Sequence, residues 1–307
     1  MDFVTVLNQV IILFIILVVG FVAGKFNILD STGTRKLSEV LLYVSSPMMI
    51  FNSFFIEFSK DRMVNVLWIV GTGMGMFVVS ILLSKLIYGR FEDKIVPVLR
   101  FTAIFSNCGY IGLPFINSLF GSEGVFYGSF YIVTFNAVLW TYGYMLYGGK
   151  GSAGQIIKKL LVSPSIIALY VGLVVFLFSI PVPEPVKGAV KAVGDMTMPL
   201  SMLIIGGVMS TTKLHTVFSD WRVYLSSFIR LIFMPLLYFA LAYIAGVPTL
   251  PAAVLVTALA MPAAANTTIF AELFDKDSVF ASKCVTVSTL LSIITAPIVI
   301  SVVNLLK

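Results

Sequence analysis

The sequence predicts an all-α polytopic membrane protein of ten transmembrane helices, arranged as two inverted five-helix repeats with broken, crossing helices 4 and 9. Three observations carry that expectation: a composition suited to lipid, basic residues concentrated in alternate loops, and two pairs of mid-segment prolines separated by nearly the same interval. Of 307 residues, 59% are hydrophobic and 11% charged, whereas a soluble domain carries about 25% charge. Apolar runs of about 20 residues, the length that crosses a hydrocarbon core, recur from end to end. They leave no stretch for a separate soluble domain, so one membrane domain over 1–307 is expected, divided into a first repeat 1–147, a linker 148–163 and a second repeat 164–307.

The first segment, 4–24, has only Asp2 between Met1 and its apolar run. Lacking the basic n-region of a secretory signal, it reads as a retained helix. The second, 37–56, places Pro47 about ten residues in, within Ser-Ser-Pro-Met-Met-Ile-Phe (45–51). The third, 64–88, contains Gly71-Thr-Gly-Met-Gly75 without a P-loop continuation, a run better suited to close helix packing. The fourth, 97–120, holds Ser-Asn-Cys-Gly-Tyr-Ile-Gly-Leu-Pro (106–114). A proline lacks the amide donor and pushes its predecessor out of helical geometry, so Gly109, Gly112 and Pro114 together predict unwound backbone. The fifth segment spans 123–147.

The second half repeats the count at 164–180, 186–210, 222–245, 250–274 and 278–305. Its seventh segment places Pro199 as the second places Pro47, an offset of 152 residues. Its ninth carries Ala-Met-Pro-Ala-Ala-Ala-Asn-Thr-Thr-Ile-Phe-Ala (260–271), with Pro262 offset by 148 from Pro114. Paired interruptions at matching positions of two halves are the best sequence pointer to a transporter binding site.

Basic residues orient the segments. Loops 1–2, 3–4, 5–6, 7–8 and 9–10 together hold 14 Lys and Arg, the opposite side 5, and Arg230 lies inside a segment. Cytoplasmic loops hold the excess, so both termini are expected outside the plasma (inner) membrane and the linker inside. An odd number of helices per half makes any structural repeat an inverted one.

The breaks define the candidate site. Asn107 and Tyr110 flank the first, with Gly109, Gly112 and Pro114; Pro262, Asn266, Thr267 and Thr268 mark the second. Each break creates a helix N-terminus with about half a positive charge and unpaired amides, a setting for an anion. The plainer alternative is that Asn107, Asn266 and the threonines cap the broken helices or bind neighbouring ones. Neither break has an Asp or Glu beside it, which disfavours a cation site. Glu39, Asp195 and Arg230 are candidate charge-pair or coupling residues. Glu39 is equally readable as an interfacial partner of Arg35 or Lys36, Asp195 as interfacial, and Arg230 as balancing Asp195 or drawing an anion. Trp68, Trp140 and Trp221 suit interfacial anchoring. Cys108 and Cys284 read as small core residues. His215, the only histidine, lies in a loop beside Lys213, and no nucleophile, zinc or paired-Asp constellation appears, so the chain is not expected to be an enzyme. No cofactor, metal or nucleic-acid partner is expected.

Three of these stretches, 45–51, 106–114 and 260–271, resemble the auxin efflux carrier family, which includes plant PIN carriers and prokaryotic malate-permease-type members, and the similarity covers nearly the whole chain. The resemblance implies an elevator-type carrier of a small organic anion and a homodimer in the bilayer. By that analogy substrate sits against Asn107, Tyr110 and Asn266, with Ser46, Pro47 and Pro199 on the scaffold side. Asn107-Cys108-Gly109 stands where the plant carriers have Asn-Pro-Asn, and the 16-residue linker is short. The chain is therefore more similar to the prokaryotic members, with malate or an auxin-like acid as expected cargo. A sodium-coupled organic-anion symporter, a cation/proton antiporter, and a receptor or channel are the alternatives the residues leave open.

Overall fold

A computed structural model describes residues 3–92, 94–149, 162–210 and 217–302; His215, Lys213 and most of the 148–163 linker lie outside them. Among the described residues the chain is helical, apart from one isolated bridge. Helix α1 is Phe3–Lys25. Helix α2, Ser31–Val40, begins under the Asp30 cap and runs through a π-turn at Leu41–Ser45 into α3, Ser46–Asn52. The wider turn precedes Pro47, which can give no amide to the ladder. Then follow α4 at Lys60–Tyr88 and α5 at Val96–Ile104.

After a non-helical stretch, a π-turn at Cys108–Gly112 opens α6, Leu113–Val138, which continues through a π-turn at Leu139–Gly143 into α7, Tyr144–Leu146. Gly121 inside α6 has φ 61° and ψ −157°, a conformation essentially restricted to glycine. The chain folds back there. A Cβ on Gly128 would stand 2.8 Å from Leu113 Cδ1, although 15 residues of straight helix would separate the two by about 22 Å.

The remainder comprises α8 at Pro164–Leu177, α9 at Glu184–Asp195, α10 at Thr197–Ser210, α11 at Trp221–Phe228, a π-turn at Ile229–Phe233 leading into α12 at Met234–Ile244, α13 at Thr249–Leu259, α14 at Asn266–Leu273 and α15 at Ser278–Ser301. Among the described residues five continuous stretches are long and apolar enough to cross a membrane: Val4–Lys25, Lys60–Tyr88, Glu184–Ser210, Trp221–Ile244 and Ser278–Ser301.

Packing follows the residue pattern. On α1, Val6, Val10, Leu13 and Leu17 are buried at helical spacing, while Ile11, Ile15, Val18 and Val22 face outward, as lipid permits. The buried stripe meets α10 at very close range. A Cβ on Gly206 would stand 2.1 Å from Leu17 O, and one on Gly20 2.5 Å from Leu203 O. Small residues let backbones approach where no hydrophobic drive exists between helices. Gly194 of α9 likewise abuts the Met49 backbone of α3, and Gly172 of α8 lies under the Phe54 ring. Thus α1, α3, α8, α9 and α10 form one packed group, and α4, α5, α6, α13 and α15 surround the interruptions in the helical path.

Candidate functional site

The helical path stops at Ile104 and resumes at Cys108; it stops again after Leu259 and resumes at Asn266. The two open stretches pair with each other. Ser106 and Ala263 form an antiparallel bridge, the Asn107 amide donates to Pro262 O at 2.7 Å, and the Ala264 amide donates to Phe105 O at 3.0 Å. Ala263 donates to Ser288 Oγ of α15 at 3.1 Å. Unwound backbone away from water must find such partners. Gly112 permits this close approach, since a Cβ there would already stand 3.2 Å from Met261 Cγ.

A cavity of about 1000 Å³ lies against these paired stretches. One wall is Ser106, Asn107, Gly109, Tyr110, Leu113 and Ala264–Asn266. The facing wall is Leu41–Tyr43, Ser46 and Ile50 from the α2–α3 helix, with 162–166 at the start of α8. Ile132, Phe135, Asn136, Leu139 and Trp140 of the α6 helix and its π-turn complete it. No charged side chain lines the cavity among the described residues.

Asn107 does two things here. Its Oδ1 accepts the Tyr110 amide at 3.3 Å, capping the resumed helix, and the residue is part of the cavity wall. Asn266, the first residue of α14, has no such capping role. The first amides of both resumed helices, at Cys108–Gly109 and at Asn266, have no carbonyl one turn back. A Cβ on Gly109 would meet nothing within 4 Å, so ligand can approach its backbone.

Of the residues singled out in the sequence, Asn107, Gly109, Tyr110, Asn266 and Ser46 come together on the cavity wall, whereas Gly112, Pro114, Pro262, Thr267, Thr268, Pro47 and Pro199 do not line it. Gly112 and Pro114 are buried behind it and Pro262 supplies the paired carbonyl. Thr267 turns its hydroxyl to Ala264 O at 2.6 Å. Pro47 is buried in helix packing, and Pro199 is exposed. Glu39 pairs with Lys36 at 2.9 Å and Arg35 at 3.5 Å, and Asp195 with Lys191 at 2.5 Å. Both carboxylates are substantially exposed and outside the cavity. Arg230 is fully buried and does not reach Asp195; its Nη1 donates to Ala103 O at 3.0 Å and Ile104 O at 3.3 Å, and its Nη2 to Leu259 O. The sequence reading missed Asn136, whose signal is a lone amide in an apolar run, and it took Trp140, which stands on the cavity wall, for an interfacial anchor.

A family model described as membrane transport protein matches residues 5–157 and 152–300. The chain belongs to that family. It is the auxin efflux carrier family that the three motifs resemble. The chain is also similar to an uncharacterized transporter of Methanocaldococcus jannaschii, 24% identical over 302 residues and covering 94% of this chain and 96% of the relative. Another, from Methanothermobacter thermautotrophicus, is 24% identical over 298 residues, covering 95% and 96%. Family membership makes the protein a multi-pass membrane transporter and not an enzyme.

Proposed function

We propose that this family member is a secondary carrier of a small organic acid, whose carboxylate is held at the crossing by the Asn107 and Asn266 amides and the first backbone amides of the two resumed helices. The observation that carries the proposal is the pairing of two non-helical stretches on the wall of a cavity that, among the described residues, no acidic side chain lines. Amide dipoles and helix N-termini stabilise negative charge. A bare cation would require carboxylates that this wall does not supply.

The lining also favours a particular kind of acid. Leu41, Ile50, Leu113, Ile132, Phe135 and Leu139 surround the polar patch, and among the described residues no Lys or Arg lines the cavity to meet a second carboxylate. Burying an unpaired charge among them costs several kcal/mol at least. An auxin-like monocarboxylate with an apolar body therefore fits better than malate.

In this reading the chain makes ten spans in two inverted repeats, several of them formed by two shorter helices in series. The α1, α3, α8, α9 and α10 group is the scaffold against which the crossing moves, elevator fashion, in a dimer. The cavity reaches 162–166 and Trp140, the side of the basic linker, so it opens to the cytoplasm if loop charge orients the chain. Phe54, Phe126 and Phe176, none of which lines the cavity, pack ring against ring, with Phe54 and Phe126 centroids 5.0 Å apart.

The test is uptake into proteoliposomes of labelled indole acetate, malate and other dicarboxylates, with and without proton and sodium gradients. Faster uptake of the monocarboxylate is expected, and the gradients identify the coupling ion. Proton or sodium flux without uptake of any carboxylate would refute the proposal.

A further inference from the structure

Among the described residues Arg230 is the only buried charged side chain, and the cavity does not use it. Its position is set by the π-turn at Ile229–Phe233, which interrupts the α11–α12 helix at the level of the crossing. Helix α5 ends at Ile104 and α13 at Leu259, and the carbonyls that Arg230 binds are Ala103, Ile104 and Leu259. One guanidinium therefore gathers the carbonyl ends of both interrupted helices. Each such end carries about half a negative charge, and each resumed helix begins with about half a positive charge.

Without a further charge, the four ends at the crossing would sum to nearly zero. The carbonyl ends would then offset part of the field that the amide ends present to the cavity. We propose that Arg230 is the positioning residue that sets the sign: it neutralises the two carbonyl ends and leaves the amide ends at Cys108–Gly109 and Asn266 as uncompensated positive potential beside the cavity. The inference rests on the carboxylate reading above and adds to it the source of the anion preference. Arg230 lies behind the paired strands and acts through the helix ends, not by touching the ligand. A plain staple, in which the three hydrogen bonds merely hold the helix ends together, is the competing role. It differs in one respect: a staple has no reason to distinguish a charged ligand from a neutral one of the same shape.

The experiment compares binding of indole acetate with that of its near-isosteric primary amide, indole acetamide, to the purified full-length protein. For the wild type the acid is expected to bind more tightly. Arg230→Gln is expected to reduce the acid-to-amide affinity ratio by about ten-fold, with the amide's own affinity little changed. Arg230→Lys, which keeps the charge and loses the planar fork, is expected to stay within about two-fold of the wild-type ratio. Should Arg230→Gln fail to accumulate, Arg230→Met, which fills the same buried space without charge, is expected to lower the ratio likewise. A folded Arg230→Gln or Arg230→Met protein with the wild-type ratio overturns the inference, as does an equal loss of affinity for both ligands. A wild type that binds acid and amide equally overturns the carboxylate reading itself.

Discussion

Replacing Gly206 by alanine is expected to force α1 and α10 apart. The added Cβ would stand 2.1 Å from Leu17 O and 2.6 Å from Phe21 N, both backbone atoms that no rotamer change can move. Carbon–oxygen contacts sit near about 3.3 Å or beyond, so the helices must separate by roughly 1 Å at this point. A gap of that size forfeits about a quarter to a half of the dispersion between the facing surfaces, and overpacking of this kind costs about 1–3 kcal/mol or somewhat more. The better helix propensity of alanine returns less than about 1 kcal/mol. A net loss of about 2–3 kcal/mol is expected, equivalent to roughly 3–5 °C in apparent Tm at this chain length. Thermal unfolding in detergent at one fixed scan rate measures it, since such unfolding is commonly irreversible. Gly75→Ala is the internal control, because a Cβ there meets nothing within 4 Å. If Gly206→Ala melts with Gly75→Ala, the close approach of α1 and α10 does not exist as described.

Asn107→Ala and Asn266→Ala are each expected to raise the apparent KM for the transported acid about ten-fold, the worth of a hydrogen bond to a charged group. Asn107→Ala alone should also lower the melting temperature, because it removes the cap on the Tyr110 amide, worth about 1 kcal/mol; unchanged KM in both variants would mean the crossing is not the site. At the aqueous end of α11, Asp220 Oδ1 accepts the Arg222 amide at 2.9 Å and Oδ2 accepts its guanidinium at 2.7 Å. The hydrogen bonds from Arg222 hold the Asp220 carboxyl below its ordinary value of 3.8. The stabilisation is thus present above the unfolded-state pKa and disappears as pH falls through the lower folded-state value. Asp220→Asn keeps a competent cap and should cost no more than about 1 kcal/mol at neutral pH, since the pair is partly exposed. The melting gap to wild type should close as pH is lowered through the acid range, and a gap that persists once the Asp220 carboxyl is protonated would refute the assignment.

Local features of the site are legible in the chain itself. Gly109, Gly112 and Pro114, and Pro262 with its following alanines, are residues that cannot sustain a regular helix, and the return of amide side chains at Asn107 and Asn266 marks where polar groups reappear in apolar runs. Both asparagines do stand on the cavity wall. Pro47 and Pro199 show the limit of the same rule: a π-turn lets the first sit in packed helix, the second faces outward, and neither reaches the cavity.

Composition and loop charge speak to the solvent and orientation of this protein because hydrophobicity and helix-breaking are properties of single residues and short windows. Three things belong to tertiary structure alone. The pairing of Ser106 with Ala263 joins residues more than 150 positions apart. The choice of carbonyls over Asp195 as partners of Arg230 depends on which helix ends converge around the π-turn at Ile229–Phe233. Asn136 and Trp140 belong to the cavity only because the chain reverses at Gly121 and brings the α6 helix back beside the crossing. Each is a long-range contact, and its energy depends on distance in space, which spacing along the chain does not encode.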